Sequence, residues 1–519
     1  MEKHCKVVVI GAGVSGLVTM KTMKQLGIDC IVYEAGDYHG GLWHFNPNRY
    51  GVMEFTHINV SRYNYAFSDF PFPDEGPEFA HHTAISSYID DYAEHFNLAP
   101  HIQYKTRVVS VQRSSGKGPY GDDGGQVNWL VYSEKDGSRF LTTCEYLVVG
   151  TGHHAKPKIP TFVGEDKFEG EIIHSVKYKD VHRSGYEGKN VVLIGIGNSA
   201  VDIADNLVTK GQCPIVHIAS RSGAWVLPSY FFGSPGDLYL NRIGDSNSPN
   251  VADTFLSSLI KLHSGHPERW GLNPKYGPSR THPTVSQTLV HHIQRGKVKV
   301  SPNLKALGKD YVEFDDGSIA SDVKAIIKCT GYTIHLPFFE EEVKNKVVNE
   351  DTNELKLFHT VFSPEYGKSL ALIGYIQPIG SLASMSEIQA QWLGMLIKGK
   401  CCLPSKNDMK ERILKDKRKQ FQYKKSTRHT IQRKVIPYCD EIASYFGAKP
   451  SVLKNPRLLF SSGGVAQWTL QGPYYNPKAK EYVASVPIPT ASIVLSCTFN
   501  GIFLLILYKL VMALCYVLF

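Results

Sequence analysis

Apolar residues fall along this chain in two recurring patterns: short unbroken runs, and stretches that repeat every three or four residues. The first run, Val7-Val8-Val9-Ile10, has no polar side chain and reads as a strand buried on both faces. Leu17, Met20, Met23 and Leu26 follow at helical spacing, and Cys30-Ile31-Val32-Tyr33 makes a second short run. The order strand, turn, helix, strand returns at Val191-Val192-Leu193-Ile194. There Val201, Ala204 and Leu207 share one helical face and Ile215-Val216-His217-Ile218-Ala219 comes next. Two further strands run into glycine, Leu147 to Gly152 and Ile326 to Gly331. Strands alternating with helices in this way predict an α/β fold with two Rossmann-like, dinucleotide-binding domains.

The turns carry the chemistry. Gly11-Ala12-Gly13-Val14-Ser15-Gly16 joins the first strand to its helix, and Glu34 closes the second strand. Glycines there let the backbone approach a pyrophosphate at the helix N-terminus, and a carboxylate at that strand end accepts hydrogen bonds from a ribose diol. Gly40-Gly41-Leu42-Trp43 follows as an apolar loop suited to cover a flavin ring. The second turn is Gly195-Ile196-Gly197-Asn198-Ser199-Ala200, with Val201 and Asp202 continuing into the helix. Its second strand ends in Ser220-Arg221 where an acid would favour a free ribose. A cation suits a 2′-phosphate, so NADPH is expected over NADH, the plainer reading being an arginine that caps the sheet surface. Two such units describe an FAD protein with a nicotinamide domain inserted in it.

Composition narrows the rest. Of 519 residues 42% are hydrophobic and 20% charged, as in a folded globular protein, and 45 Gly and 28 Pro show no repeat. The net charge of +9 is spread along the chain rather than gathered in a stripe, which argues against nucleic acid. One basic run, Lys415 to Lys425, reads as a solvated or membrane-facing patch. Ten cysteines without a C-x-x-C offer neither a zinc site nor a thiol–disulfide centre, and no metal is expected. The histidine pairs His81-His82, His153-His154 and His291-His292 read as surface or domain-joint residues. Residues 116–125, rich in glycine, read as a hairpin tip. From Ala491 to Phe519 the chain is mostly apolar with one charge, Lys509, and is long enough for a membrane helix or an interfacial anchor. Nothing resembling a signal sequence precedes the first strand, so the folded body is expected on the cytosolic side.

Between the turns stands Phe168-x-Gly170-x-x-x-His174-x-x-x-Tyr178-Lys179. With GGLW at 40–43, FSDFPFPD at 67–74, GIGNSA at 195–200, CTGY at 329–332 and the stretches Gly374 to Gly380 and Glu387 to Trp392, the chain resembles the membrane-bound animal flavin-containing monooxygenases. The resemblance implies that NADPH reduces FAD, that oxygen adds to give a C4a-hydroperoxyflavin, and that one oxygen atom passes to a soft nitrogen or sulfur nucleophile, xenobiotics included. It implies small amines or sulfides and O2 as partners, the endoplasmic reticulum membrane as location, and leaves homo-oligomerisation open. By motif, Gly11 to Ser15, Glu34, Leu42, Trp43, Asn59 and Val60 contact FAD; Ile58 and Asn59 lie by the nicotinamide; Ser199 to Asp202 and Arg221 hold the rest of NADPH. Asn59 takes the catalytic role, while His174 and Tyr178 are structural or gating.

Two departures stand out: Ala200 replaces the usual third glycine, and Gln391 stands where the family commonly has arginine. The chain divides into residues 1–155 (FAD domain, first segment), 156–330 (NADPH domain), 331–445 (FAD domain, second segment), 446–490 (C-terminal extension) and 491–519 (membrane anchor). An insertion at about 228–282 is expected to border the substrate entrance or the membrane. The rival activities are an NADPH oxidase that releases hydrogen peroxide and a Baeyer–Villiger monooxygenase acting on ketones, the latter disfavoured by Tyr178 where a tryptophan would fit it better. A flavin-binding sensor or scaffold without turnover would be favoured only by a broken glycine turn, and both are intact.

Overall fold

The computed structural model describes residues 2–114, 129–424 and 429–492. The hairpin tip at 116–125, the last residue of the basic run and the apolar tail from residue 493 onward lie outside the described residues.

Two parallel sheets organise the chain. The larger has the order Phe362–Ser363, Gly367–Leu372, Ser138–Val149, Glu2–Ile10, Cys30–Tyr33, Ile102–Gln103. Its centre is parallel, with Val8 beside Ile31 on one side and Leu147 on the other. Arg107–Arg113 and Trp129–Lys135 extend it as antiparallel strands. The smaller sheet runs Val298–Ser301, Val216–Ala219, Asn190–Ile194, Val323–Lys328, Glu171–His174, all parallel. All its strands lie between residues 171 and 328, nested in the chain between segments of the larger sheet. The central residues Val7 to Val9 and Val191 to Leu193 are fully buried, as unbroken apolar runs require of strands covered on both faces.

The two chain crossings between the sheets pair with one another, Tyr332 opposite Pro157 and Thr333 opposite Lys156. Behind the larger sheet the helix Leu382–Ile397 packs along Val14–Gln25 and is buried on nearly every side. Trp392 in it is fully buried, stacked on Tyr445 with ring centres 4.9 Å apart and edge-on to Phe362. Gln391, the residue that stands in for an arginine, is buried in the same helix, and its carbonyl accepts the Tyr474 hydroxyl at 3.0 Å.

The insertion folds around the helix Pro249–Ser264, which begins with proline at its first position and with the Ser248 hydroxyl accepting the Val251 amide. Arg242 at its front makes a two-pronged ion pair with Asp440, at 2.7 and 3.0 Å, and the Trp468 indole donates to the same carboxylate at 2.8 Å. One side of the insertion therefore packs against the segment that carries Asp440. Asn241 also donates to Ser492, the last described residue before the apolar tail, at 3.2 Å. No helix among the described residues is long and apolar enough to cross a membrane.

Candidate functional site

Each glycine turn is built by contacts that exclude a side chain. Gly11 has a φ of +98°, and a Cβ there would lie 2.9 Å from the Gly150 carbonyl oxygen. At Gly16 a Cβ would lie 1.9 Å from the Gly11 carbonyl oxygen, so helix and strand approach more closely than alanine permits. Gly13 caps Val14–Gln25 with no side-chain acceptor, which leaves the helix's first N–H groups pointing out of the turn. Glu34 closes the turn from the side: Oε2 accepts the Ala12 amide at 2.8 Å and Oε1 the Gly36 amide at 2.6 Å. A carboxylate has about four acceptor positions, so capacity for a ribose diol is left. Ala12 also accepts the Gly40 amide at 2.9 Å, which seats Gly40-Gly41-Leu42-Trp43 over the turn, with Gly41 against Gly13.

Residues 52–65 run from one sheet to the other. Met53 and Phe55 pack into the smaller sheet's core, while Ile58 and Tyr65 are buried in that of the larger. The Ile58 amide donates to Ala80 at 2.9 Å, and Tyr65 meets Trp43 edge-on at 5.9 Å. Between these anchors Asn59 is exposed and Val60 half-buried. The segment meets the loop that carries Leu42 and Trp43 through the Val52 amide, which donates to Leu42 at 3.1 Å, and through the Tyr65 ring. The insertion holds this segment. Asp237 Oδ2 accepts the Ser61 amide at 3.1 Å, the Ser61 hydroxyl at 2.7 Å and the Asn64 amide group at 2.6 Å. Burial nonetheless pushes the Asp237 carboxyl above the ordinary range, against the lowering effect of those bonds.

The second turn repeats the first. Gly195 has a φ of +111°, and a Cβ there would lie 2.4 Å from the Cys329 carbonyl oxygen. At Gly197 a Cβ would meet nothing within 4 Å, so the mouth of the turn is open. The helix Asn198–Thr209 starts there with no side-chain cap. The Asn198 side chain accepts the Val285 amide at 2.9 Å and the Thr284 hydroxyl donates to Ile196 at 2.8 Å. Ser199 is exposed and Ala200 and Val201 are buried; Ala200 in place of glycine is accommodated. Burial, with Asp205 one turn away, pushes Asp202 up to about 7. Arg221 is exposed past the end of Val216–Ala219.

The motif between the turns acts through packing. His174 accepts the Val176 amide on Nδ1 and donates from Nε2 to Gly331 at 3.1 Å, and burial lowers its pKa. The Tyr178 hydroxyl, fully buried, donates to Asn206 at 2.6 Å. The Lys179 carbonyl accepts the Glu54 amide at 3.0 Å, which ties this motif to the 52–65 segment. Of the histidine pairs expected at the surface or at a domain joint, His154 and His291 are exposed, and His81 and His82 bond to Glu54 and Thr56 of the segment that joins the two sheets. His292 is buried in the helix Leu289–Gln294, where it meets Asp205 at 2.8 Å. No cluster among the described residues could hold a metal ion. A cavity of about 30 Å³ beside Asn64, Ser384 and Trp468 is too small for a substrate. A groove of about 330 Å³ at Trp270, Ile293 and Val298 lies at the far end of the smaller sheet's strands from the glycine turn.

The pattern that defines the group described as "Flavin-binding monooxygenase-like" matches residues 4–484. The chain belongs to this flavin-binding monooxygenase family. It is 35% identical to flavin-containing monooxygenase 5 of Homo sapiens over 486 residues, covering 90% of this chain and 87% of that protein. With dimethylaniline monooxygenase 2 (N-oxide-forming) of Rattus norvegicus it shares 34% identity over 489 residues, 90% of this chain and 89% of the other. Among solved structures, S-allyl-L-cysteine S-oxygenase from Allium sativum superposes with a TM-score of 0.64 over 96% of this chain and 99% of that one, at 22% identity. Oxidized steroid monooxygenase bound to NADP gives 0.61 over 88% and 98%, at 16% identity. At these identities both confirm the fold.

As a flavin-binding monooxygenase the protein is an oxidoreductase that uses FAD and NADPH. The residues present fit those groups. A Cβ at Gly11, Gly16 or Gly195 would collide with backbone, and both turns begin helices whose first N–H groups no side chain caps. Glu34 suits the adenosine ribose of FAD, and an exposed Arg221 suits a 2′-phosphate. Sequence reasoning missed Asp237. It stands in a segment rich in Gly, Pro, Ser and Asn with no periodic signal, and its partner Ser61 is 176 residues away.

Proposed function

We propose that this flavin-binding monooxygenase uses NADPH and O2 to oxygenate soft nitrogen or sulfur nucleophiles, xenobiotics among them, with Asn59 as the catalytic side chain. The observation that carries the reading is the 52–65 segment. It is anchored in the cores of both sheets, touches the loop that would cover a flavin at Val52 and Tyr65, and presents an exposed Asn59 side chain with no hydrogen-bond partner among the described residues. When bound, FAD supplies the redox chemistry and the activation of oxygen. The protein's part is placement and shielding. Gly11 to Gly16, Glu34, Leu42, Trp43, Val60 and the Asn59 amide would hold FAD. Ile58 and Asn59 would face the nicotinamide, with Gly195, Gly197 to Asp202 and Arg221 along the rest of NADPH. The Asn59 amide donates from nitrogen and accepts on oxygen, so it can orient the reacting groups without gaining or losing a proton.

In this reading residues 1–155 and 331–445 form the FAD domain, 156–330 the NADPH domain, and 446–490 an extension. The apolar segment 491–519 anchors the protein to the endoplasmic reticulum membrane with the body in the cytosol; its length and single charge support that assignment. The rat relative is named for N-oxide formation, which favours nitrogen among the substrates.

Purified FAD-loaded enzyme should consume NADPH faster with a tertiary amine or a thioether present and yield the N-oxide or sulfoxide. Turnover of a cyclic ketone to a lactone with neither amine nor sulfide oxidised would place it among Baeyer–Villiger enzymes. Hydrogen peroxide matching all the NADPH consumed would make it an oxidase.

A further inference from the structure

The loop after Val216–Ala219 does not stand alone. Residues 222–225 are stitched to 272–276 of the insertion by three hydrogen bonds. The Lys275 amide donates to the Ser222 carbonyl at 3.1 Å, the Ala224 amide to Leu272 at 3.0 Å, and the Trp225 indole to Tyr276 at 2.7 Å. Gly223, with a φ of +62°, makes the approach possible: a Cβ there would lie 1.9 Å from the Leu272 carbonyl oxygen and 2.2 Å from that of Asn273. Lys275 is therefore fixed across from Ser222, one residue from Arg221.

Both cations are exposed, and neither is in an ion pair among the described residues. The acid of the insertion that lies against Gly277, Asp253, is engaged with Arg280 at 2.7 Å. Two exposed cations on neighbouring backbone positions, neither of them neutralised by an acid, leave positive charge that an anion carrying two charges would meet. A guanidinium grips such an anion through two parallel N–H groups and an ammonium adds a compact point charge.

We propose that Lys275 is a second cation for the 2′-phosphate of NADPH, acting with Arg221, so that the insertion takes part in cofactor selection. This rests on the reading that the Arg221 turn receives the adenosine end of NADPH. Because Lys275 contributes to the loop only through its backbone amide, replacing its side chain leaves the stitching intact.

The test is calorimetric binding of 2′,5′-ADP and of 5′-AMP to the FAD-loaded full chain, which needs no turnover. Lys275→Ala should weaken 2′,5′-ADP about tenfold, leave 5′-AMP unchanged and flatten the salt dependence, while Lys275→Arg restores binding. Arg221→Ala should show the same selectivity. If Arg221→Ala abolishes the preference for 2′,5′-ADP and Lys275→Ala leaves it whole, the role of Lys275 is overturned and the cofactor reading stands. If the unaltered enzyme binds 2′,5′-ADP no better than 5′-AMP, the underlying reading of the turn falls with it. Equal weakening of both ligands in Lys275→Ala would show a loop defect and overturn the proposal.

Discussion

Asp237 and Ser61 are joined by two hydrogen bonds to one carboxylate oxygen, the Ser61 amide at 3.1 Å and its hydroxyl at 2.7 Å. The carboxylate comes from the insertion and the serine lies two residues after Asn59, so the insertion fixes the segment that presents the candidate catalytic amide. Asp237→Ala would leave the Ser61 amide, the Ser61 hydroxyl and the Asn64 side chain without their acceptor. The expected cost is about 1–3 kcal/mol of stability. FAD content should be retained while a larger share of NADPH ends as hydrogen peroxide. Thermal unfolding and the ratio of product to NADPH consumed measure the two effects separately.

Asn59 itself should behave in the opposite way. Its side chain is exposed and without a partner among the described residues, so Asn59→Ala should leave stability within about 0.5 kcal/mol. FAD should still bind and oxygenated product should fall at least a hundredfold. A variant that oxygenates normally would remove Asn59 from the mechanism.

Asp202 would give the proposed NADPH turn a pH response. Burial and Asp205 raise its carboxyl to about 7, so it is half protonated near neutrality. As pH rises through 7 a negative charge develops one turn into the helix whose N-terminus would hold the pyrophosphate, and affinity for NADP+ should fall. Asp202→Asn should bind NADP+ with a flatter pH dependence between 6 and 8, read by calorimetric titration.

His359 gives the fold a pH response of its own. Burial, with Arg412 adding to it, holds the imidazole down at about 3, against 6.5 for an ordinary histidine. A depressed folded-state value means that the stabilising contribution is whole above pH 6.5 and is lost as pH falls toward 3. The loss approaches about 1.4 kcal/mol per pH unit. Urea unfolding at pH 7.5 and 5.5 should show it, and His359→Gln should remove that part of the slope.

The glycine turns were legible because their determinants are local. A strand, a G-x-G spacing, a helical stripe and a terminal Glu34 or Arg221 occupy one short stretch each, and backbone sterics at Gly11 and Gly195 demand that spacing. The strands at 30–33 and 190–194 were legible for the same reason. The insertion was not. Its contacts, Asp237 with Ser61, Arg242 with Asp440 and Lys275 with Ser222, join residues far apart in the chain through single polar side chains or backbone amides that leave no periodic trace. His292, buried in its helix and bonded to Asp205, was not legible either, because its partner lies 87 residues away in the chain.

The most direct test of the account is the fate of isotopically labelled oxygen, 18O2, during turnover of a thioether or tertiary amine by the FAD-loaded enzyme. One labelled atom in the sulfoxide or N-oxide for each NADPH consumed, with little peroxide, is the expected result. Consumption of NADPH with all the label recovered as hydrogen peroxide and none in product would contradict it.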